Sequence, residues 1–107
     1  MSFLSRIEEF LLIAIWKLKD NAFGLAIIDQ VEKDTGISWM SGSIYGALTR
    51  LKKNGYVETT KVQQSPGHMG RPRIHYELTK LGMAKLIAVQ KVNNTMWEGV
   101  PNLEKCR

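Results

Sequence analysis

The chain has 107 residues and a mass of 12.2 kDa, with 44% hydrophobic and 23% charged residues and a net charge of +5. That is one globular domain by length, with neither the composition of a disordered chain nor that of a fibrous one. Its longest apolar run, Phe10 to Trp16, is far too short to cross a bilayer, Met1–Arg6 does not read as a signal peptide, and Cys106, the only cysteine, leaves no internal disulfide to form.

These features predict a cytoplasmic protein, and the charge distribution adds to them. Residues 1–40 carry Arg6, Lys17, Lys19 and Lys33 against six acids, whereas residues 41–75 carry Arg50, Lys52, Lys53, Lys61, Arg71 and Arg73 against Glu58 alone. So local a basic field suggests a face that meets a polyanion, although a plain solvated basic surface would look the same.

Ser5 and Glu8, three apart before an apolar run, have the capping-box pattern. Ile7, Phe10, Leu11, Ala14 and Leu18 then recur at helical spacing, widened by Leu12, Ile15 and Trp16, so a well-buried first helix is predicted up to Lys19-Asp20-Asn21. A second helix is expected from about Ala22 to Thr35. Its inner face is Ile27, Ile28 and Val31, with an outward Asp29–Lys33 pair, and Gly36 follows its end. After a short connector containing Trp39, which reads as a plug between helices, Ser41 or Ser43 can cap a third helix that ends at Asn54-Gly55. Ile44, Ala47, Leu48 and Leu51 form its apolar seam, and this helix–turn–helix spacing turns the polar residues outward.

Beyond Gly55 the period changes. Tyr56 to Val62 is rich in β-branched and aromatic residues, Gln63 to Pro72 carries the turn chemistry of a loop, and Ile74, Tyr76 and Leu78 alternate with Arg73, His75 and Glu77. The two strands and their loop make a hairpin wing. Thr79 can cap a last helix from about Lys80 to Trp97, along which Leu81, Ala84, Ala88, Val92 and Thr95 make one stripe and Leu86, Val89 and Met96 a second. So broad an apolar surface at the end of a small chain calls for a partner. The expected fold class is mainly α with a small β-hairpin. Residues 1–79 would form a winged helix-turn-helix body, and residues 80–107 a dimerisation helix and tail.

The candidate nucleic-acid contacts are Ser41, Ser43, Tyr45, Thr49, Arg50 and Lys52 on the third helix and Arg71 and Arg73 on the wing. Each can donate to phosphate oxygens or base edges. Arg50 has the geometry for guanine O6/N7 or for a phosphate, Tyr45 for a contact or for packing on the wing, and the wing arginines for a minor groove or a phosphate. Leu81, Ala88, Val89, Val92 and Met96 are the candidate dimer residues. No Cys/His metal cluster, glycine-rich phosphate loop or nucleophile elbow is present, so neither enzyme chemistry nor a metal or cofactor is expected. A winged helix that binds RNA or protein remains the alternative.

Three segments resemble the PadR family of bacterial transcriptional regulators. Gly42–Val57 looks like that family's recognition helix, with its Tyr, its Leu-x-x-Leu and its closing Gly, while Gly70–Thr79 looks like its second wing strand and Leu81-Gly82 like the start of its last helix. Ser41 stands where family members often carry a proline. The resemblance spans roughly residues 6–98 and implies a homodimeric repressor of double-stranded DNA at a near-palindromic operator, of the short type with one dimerisation helix. Some members bind flat aromatic effectors near the dimer interface, which makes Trp97 a candidate effector contact as well as a candidate packing residue.

Overall fold

The computed structural model describes residues 4–62 and 73–105. The expectations for Arg71 and Cys106, and for the loop from Gln63 to Pro72, lie outside the described residues. In chain order come α1 (Arg6–Leu18), a 3-10 turn (Lys19–Asn21), α2 (Gly24–Thr35), α3 (Ser41–Lys53), β1 (Val57–Val62), β2 (Arg73–Leu78), α4 (Lys80–Trp97) and a last 3-10 turn (Leu103–Lys105).

The capping box forms as the sequence predicts: Glu8 N–H donates to the Ser5 hydroxyl at 3.3 Å and Ser5 N–H to the Glu8 carboxylate at 3.0 Å. The first helix ends where Lys19 takes a left-handed φ of 52°. Leu11, Leu12 and Ile15 of α1, Ile27 and Val31 of α2, Ile44, Leu48 and Leu51 of α3, and Val57 of β1 form one buried cluster. Each such side chain removed from water contributes about 1.5–3 kcal/mol, and together they clamp α3 to the body along a single seam. Trp39 sits beside them between α2 and α3, partly buried, its indole N–H without a partner.

The wing is an antiparallel pair in which Val57 faces Leu78 and Val62 faces Arg73. Its second strand docks on the α1–α2 connector, where Tyr76 N–H donates to the Ala22 carbonyl at 2.8 Å. That bond explains one departure from the sequence reading. Ala22 is held by the strand with ψ 69°, so α2 starts at Gly24 with Phe23 as N-cap.

Other departures have equally local causes. Met40, not a serine, occupies the N-cap of α3, with its carbonyl taking the Ser43 and Ile44 N–H groups and no side chain capping the helix. Ser41 is therefore the first residue of α3, not its cap. Trp16 is 50% exposed and outside the core, on the flank of α1 that faces α4. The acid that α2 engages is Asp34, which takes a hydrogen bond from Lys17 at 2.8 Å and another from Gln30 at 2.9 Å, rather than Asp29 with Lys33. Those bonds, the Lys17 one first, hold the Asp34 carboxyl below the ordinary carboxylate pKa.

Thr79 caps α4 by accepting from Gly82 N–H at 2.9 Å, and its own hydroxyl donates to the Gly55 carbonyl at 2.6 Å. Gly82 lies so close to Tyr56 that a Cβ there would overlap the Tyr56 carbonyl, which supplies the physical reason for Leu81-Gly82 at this point. From there α4 runs ~27 Å at 1.5 Å per residue. The molecule measures 58 × 30 × 23 Å. Its radius of gyration of 16.1 Å exceeds the roughly 13 Å of a compact chain of this length. Among the described residues no helix is long and apolar enough to cross a membrane.

Candidate nucleic-acid interface

The sequence of α3, SGSIYGALTRLKK, contains no acid. With Ile44, Ala47, Leu48 and Leu51 buried, the 3.6-residue period fixes where everything else points. The face farthest from the seam is Gly42, Gly46, Thr49 and Lys53. Ser43 and Tyr45, two positions apart, are about 200° apart around the helix. They therefore lie on opposite flanks, not together on the outward face.

The contacts agree with this geometry. Tyr45 leans toward the start of α2: its hydroxyl is 3.5 Å from where a Cβ on Gly24 would stand. It lines a crevice with Phe23, Arg73, Ile74 and Tyr76, so its ring faces both the wing base and solvent. Burial first, and then neighbouring Tyr45, push the Tyr76 hydroxyl above its ordinary pKa. On the opposite flank the Arg50 Nε lies 4.0 Å from the Glu8 carboxylate. Thr49 donates its hydroxyl to the Tyr45 carbonyl at 2.8 Å. Ser41, Ser43, Lys52 and Lys53 are exposed.

Two outward glycines are functional candidates that the sequence reading missed. A Cβ on Gly42 would meet nothing within 4 Å, and one on Gly46 only the Arg50 guanidinium. Neither glycine is required by packing inside the chain. The signal in sequence was their four-residue spacing on the polar side of an amphipathic helix.

At the wing, Arg73 lies over the Phe23 ring with its guanidinium carbon 3.8 Å from the centroid. His75 meets the same ring edge-on and has its Nε2 3.1 Å from the Lys19 carbonyl. His75 thus fastens the strand to the connector, where the sequence suggested only a polar strand position. Lys61 is exposed on β1. Arg73 stands near Tyr45 across the crevice, which brings one wing arginine and the α3 tyrosine to one place.

On the other side of the molecule, α1 and α4 enclose a groove of about 510 Å³ whose walls include Glu9, Trp16, Leu86, Ile87 and Val89. Val89 is half-buried there, whereas Leu81, Ala88, Val92 and Met96 are exposed. Trp97 is 61% exposed at the end of α4 and is not in the groove wall, which has Trp16 instead. Among the described residues no group of three or more His, Cys, Asp or Glu could hold a metal ion.

Three helices, a seam-held third helix with a basic outer face and a two-stranded hairpin define a winged helix-turn-helix protein. The chain belongs to the PadR-like family of transcriptional regulators, whose family model matches residues 12–88. Among curated proteins no significant sequence match is found. Among solved structures, a PadR-like transcription factor from Bacteroides fragilis is similar at 26% identity and a TM-score of 0.68, over 85% of this chain and 84% of that one. A protein from Streptococcus mutans UA159 shares 27% identity at a TM-score of 0.63, over 89% and 84% of the two chains. RosR of H. salinarum has the same fold, with a TM-score of 0.71 at 20% identity over 92% and 81% of the two chains.

Proposed function

We propose that the protein is a homodimeric, sequence-specific DNA-binding repressor working in the cytoplasm, with residues 1–79 as its DNA-binding body and α4 with the tail as its dimerisation arm. The observation that carries this reading is α3 itself: a helix without acids, fixed by one apolar seam and turning Ser41, Ser43, Tyr45, Thr49, Arg50, Lys52 and Lys53 to solvent. Such a helix suits the major groove, with its flanks on the phosphates and its centre on base edges. Arg73 at the wing base, and Arg71 by its place in the sequence, supply further phosphate or minor-groove contacts. The RNA-binding alternative fits less well, because the deep, narrow major groove of an A-form duplex does not admit a helix side-on.

Dimerisation is supported by the exposed α4 face of Leu81, Ala88, Val92 and Met96. A small aromatic effector has a natural place beside it, with Trp97 as the candidate contact and Trp16 in the groove wall. Quenching of tryptophan fluorescence by flat aromatic compounds, compared in Trp16→Phe and Trp97→Phe, tests this part of the proposal.

The decisive experiment is selection of duplexes from a random pool, followed by titration across salt concentrations. An inverted repeat with half-site centres ~34 Å apart is the expected product. Its log affinity should fall by ~0.9 per neutralised phosphate with log salt. Recovery of unrelated sequences, or a salt-insensitive complex, would sink the reading.

A further inference from the structure

Glu8 is an acidic side chain in a place where a neutral one would serve the local structure equally well. It is 9% exposed in the first turn of α1. One carboxylate oxygen accepts from Ser5 N–H at 3.0 Å, completing the capping box. That role needs an acceptor, which glutamine supplies as well as glutamate. Keeping a charge there costs desolvation free energy. The α1 dipole recovers part of that cost, but the second oxygen has its own neighbour, 4.0 Å away: Nε of Arg50 on α3.

Arg50 also runs close to Gly46 on its own helix. Its Nη1 lies 3.7 Å from where a Cβ on Gly46 would be, so the guanidinium lies back along α3 over a bare glycine. As an ion pair this arrangement does little for stability, because the Arg50 side chain is 55% exposed and solvent screens it. Its geometric effect is larger. A guanidinium is a planar fork of five donors. With Nε turned toward Glu8 and Nη1 beside Gly46, the Nη end of the fork remains for a partner that accepts two parallel hydrogen bonds.

We infer that Glu8 is a positioning residue for base reading: it orients Arg50 so that the free Nη pair meets guanine O6/N7 in the major groove. This deepens, and rests on, the reading of α3 as the DNA-contacting helix. The capping box thereby ties the start of the first helix to the aim of the third.

The test uses the full chain and compares wild type, Glu8→Gln, Arg50→Ala and the double variant by duplex selection and by thermal melting. Glutamine preserves the cap and removes the charge. Arg50→Ala first marks the base pair that Arg50 reads. Glu8→Gln is then expected to lower discrimination at that same pair by ~5-fold, within the range of one good bidentate contact. It should leave the other positions unchanged and melt close to wild type, and the double variant should lose no more than Arg50→Ala alone. Two results overturn the inference: wild-type preference at that pair in Glu8→Gln, or an even loss across the whole operator. An operator still bound with unchanged preference by Arg50→Ala also overturns it, while leaving the DNA-binding reading in place. A wild-type protein that selects no consensus overturns that reading, and the inference falls with it.

Discussion

The Asn93 side-chain amide donates to the Glu9 carboxylate at 2.6 Å, joining the last third of α4 to the first turn of α1. Arg6 flanks the same carboxylate at 3.4 Å. The Asn93 bond holds α4 against the body up to that residue. Beyond that point Met96 is 73% exposed, and Val100 and Leu103 follow it into solvent. The anchor therefore fixes the direction in which an uncovered apolar end projects.

From this follows the dimer prediction. Val92 and Met96 are exposed, so changing both to Asp leaves the monomer's own contacts intact. Val89 lines the groove on α1 and is less suitable for the purpose. Each apolar side chain buried in an interface contributes about 1.5–3 kcal/mol. A double loss with two added charges per subunit should convert a micromolar dimer to monomer. Sedimentation equilibrium of wild type and variant checks this, and wild type sedimenting as a monomer at micromolar concentration would exclude the α4 dimer.

The elements themselves were legible because each has local chemistry: the Ser5–Glu8 box, Gly36 after α2, Thr79 before α4, the switch from helical to alternating spacing after Gly55. What was not legible depends on long-range contacts. Nothing near Ala22 in sequence says that a strand more than fifty residues later takes its carbonyl. Nothing near Trp16 says that the core needs Leu12 and Ile15 but leaves the next ring to a groove. In the candidate site, residue types pointed to α3, but they did not show that Ser43 and Tyr45 fall on opposite flanks of that helix. The glycines were silent because their contribution is empty space.

Gly82 is the clearest stability prediction. A Cβ at this position would overlap the Tyr56 carbonyl, which is backbone and cannot rotate away, so β1 and the start of α4 must separate. Thr79 N–H also donates to that carbonyl at 3.1 Å, and its bond would be disturbed together with the cap. Gly82→Ala should cost about 3 kcal/mol or more, despite the better helix propensity of alanine. Chemical denaturation of the two proteins measures it. A variant as stable as wild type would mean that the close approach is absent.

Gly42 predicts the opposite pairing of effects. A methyl there points into open space, so Gly42→Ala should leave the fold equally stable or stabilise it by up to ~1 kcal/mol. If the bare face of α3 lies against DNA, the same methyl stands between the helix backbone and the groove. Affinity should then fall by about 1–3 kcal/mol, the usual cost of overfilling a close contact. Melting and anisotropy titration on one preparation separate the two effects. Unchanged affinity would show that α3 does not approach through this face.

Thr49 lies two turns further along that face, and its hydroxyl proton is already given to the Tyr45 carbonyl at 2.8 Å. What the side chain still offers is its methyl group and the acceptor lone pairs of its hydroxyl oxygen, and the feature of a base edge that a methyl reads is the C5-methyl of thymine. Two near-isosteric changes separate the groups. Thr49→Val keeps a methyl and removes the hydroxyl, so it should keep the preference for thymine at one operator position. Thr49→Ser keeps the hydroxyl and its backbone bond but removes the methyl, so it should lose about 1 kcal/mol of discrimination there. Tyr45→Phe should instead weaken all duplexes alike, because a phenol on a phosphate carries no sequence information. Selections repeated on the three variants decide the matter. If the serine variant keeps the preference and the valine variant loses it, the hydroxyl is the reading group.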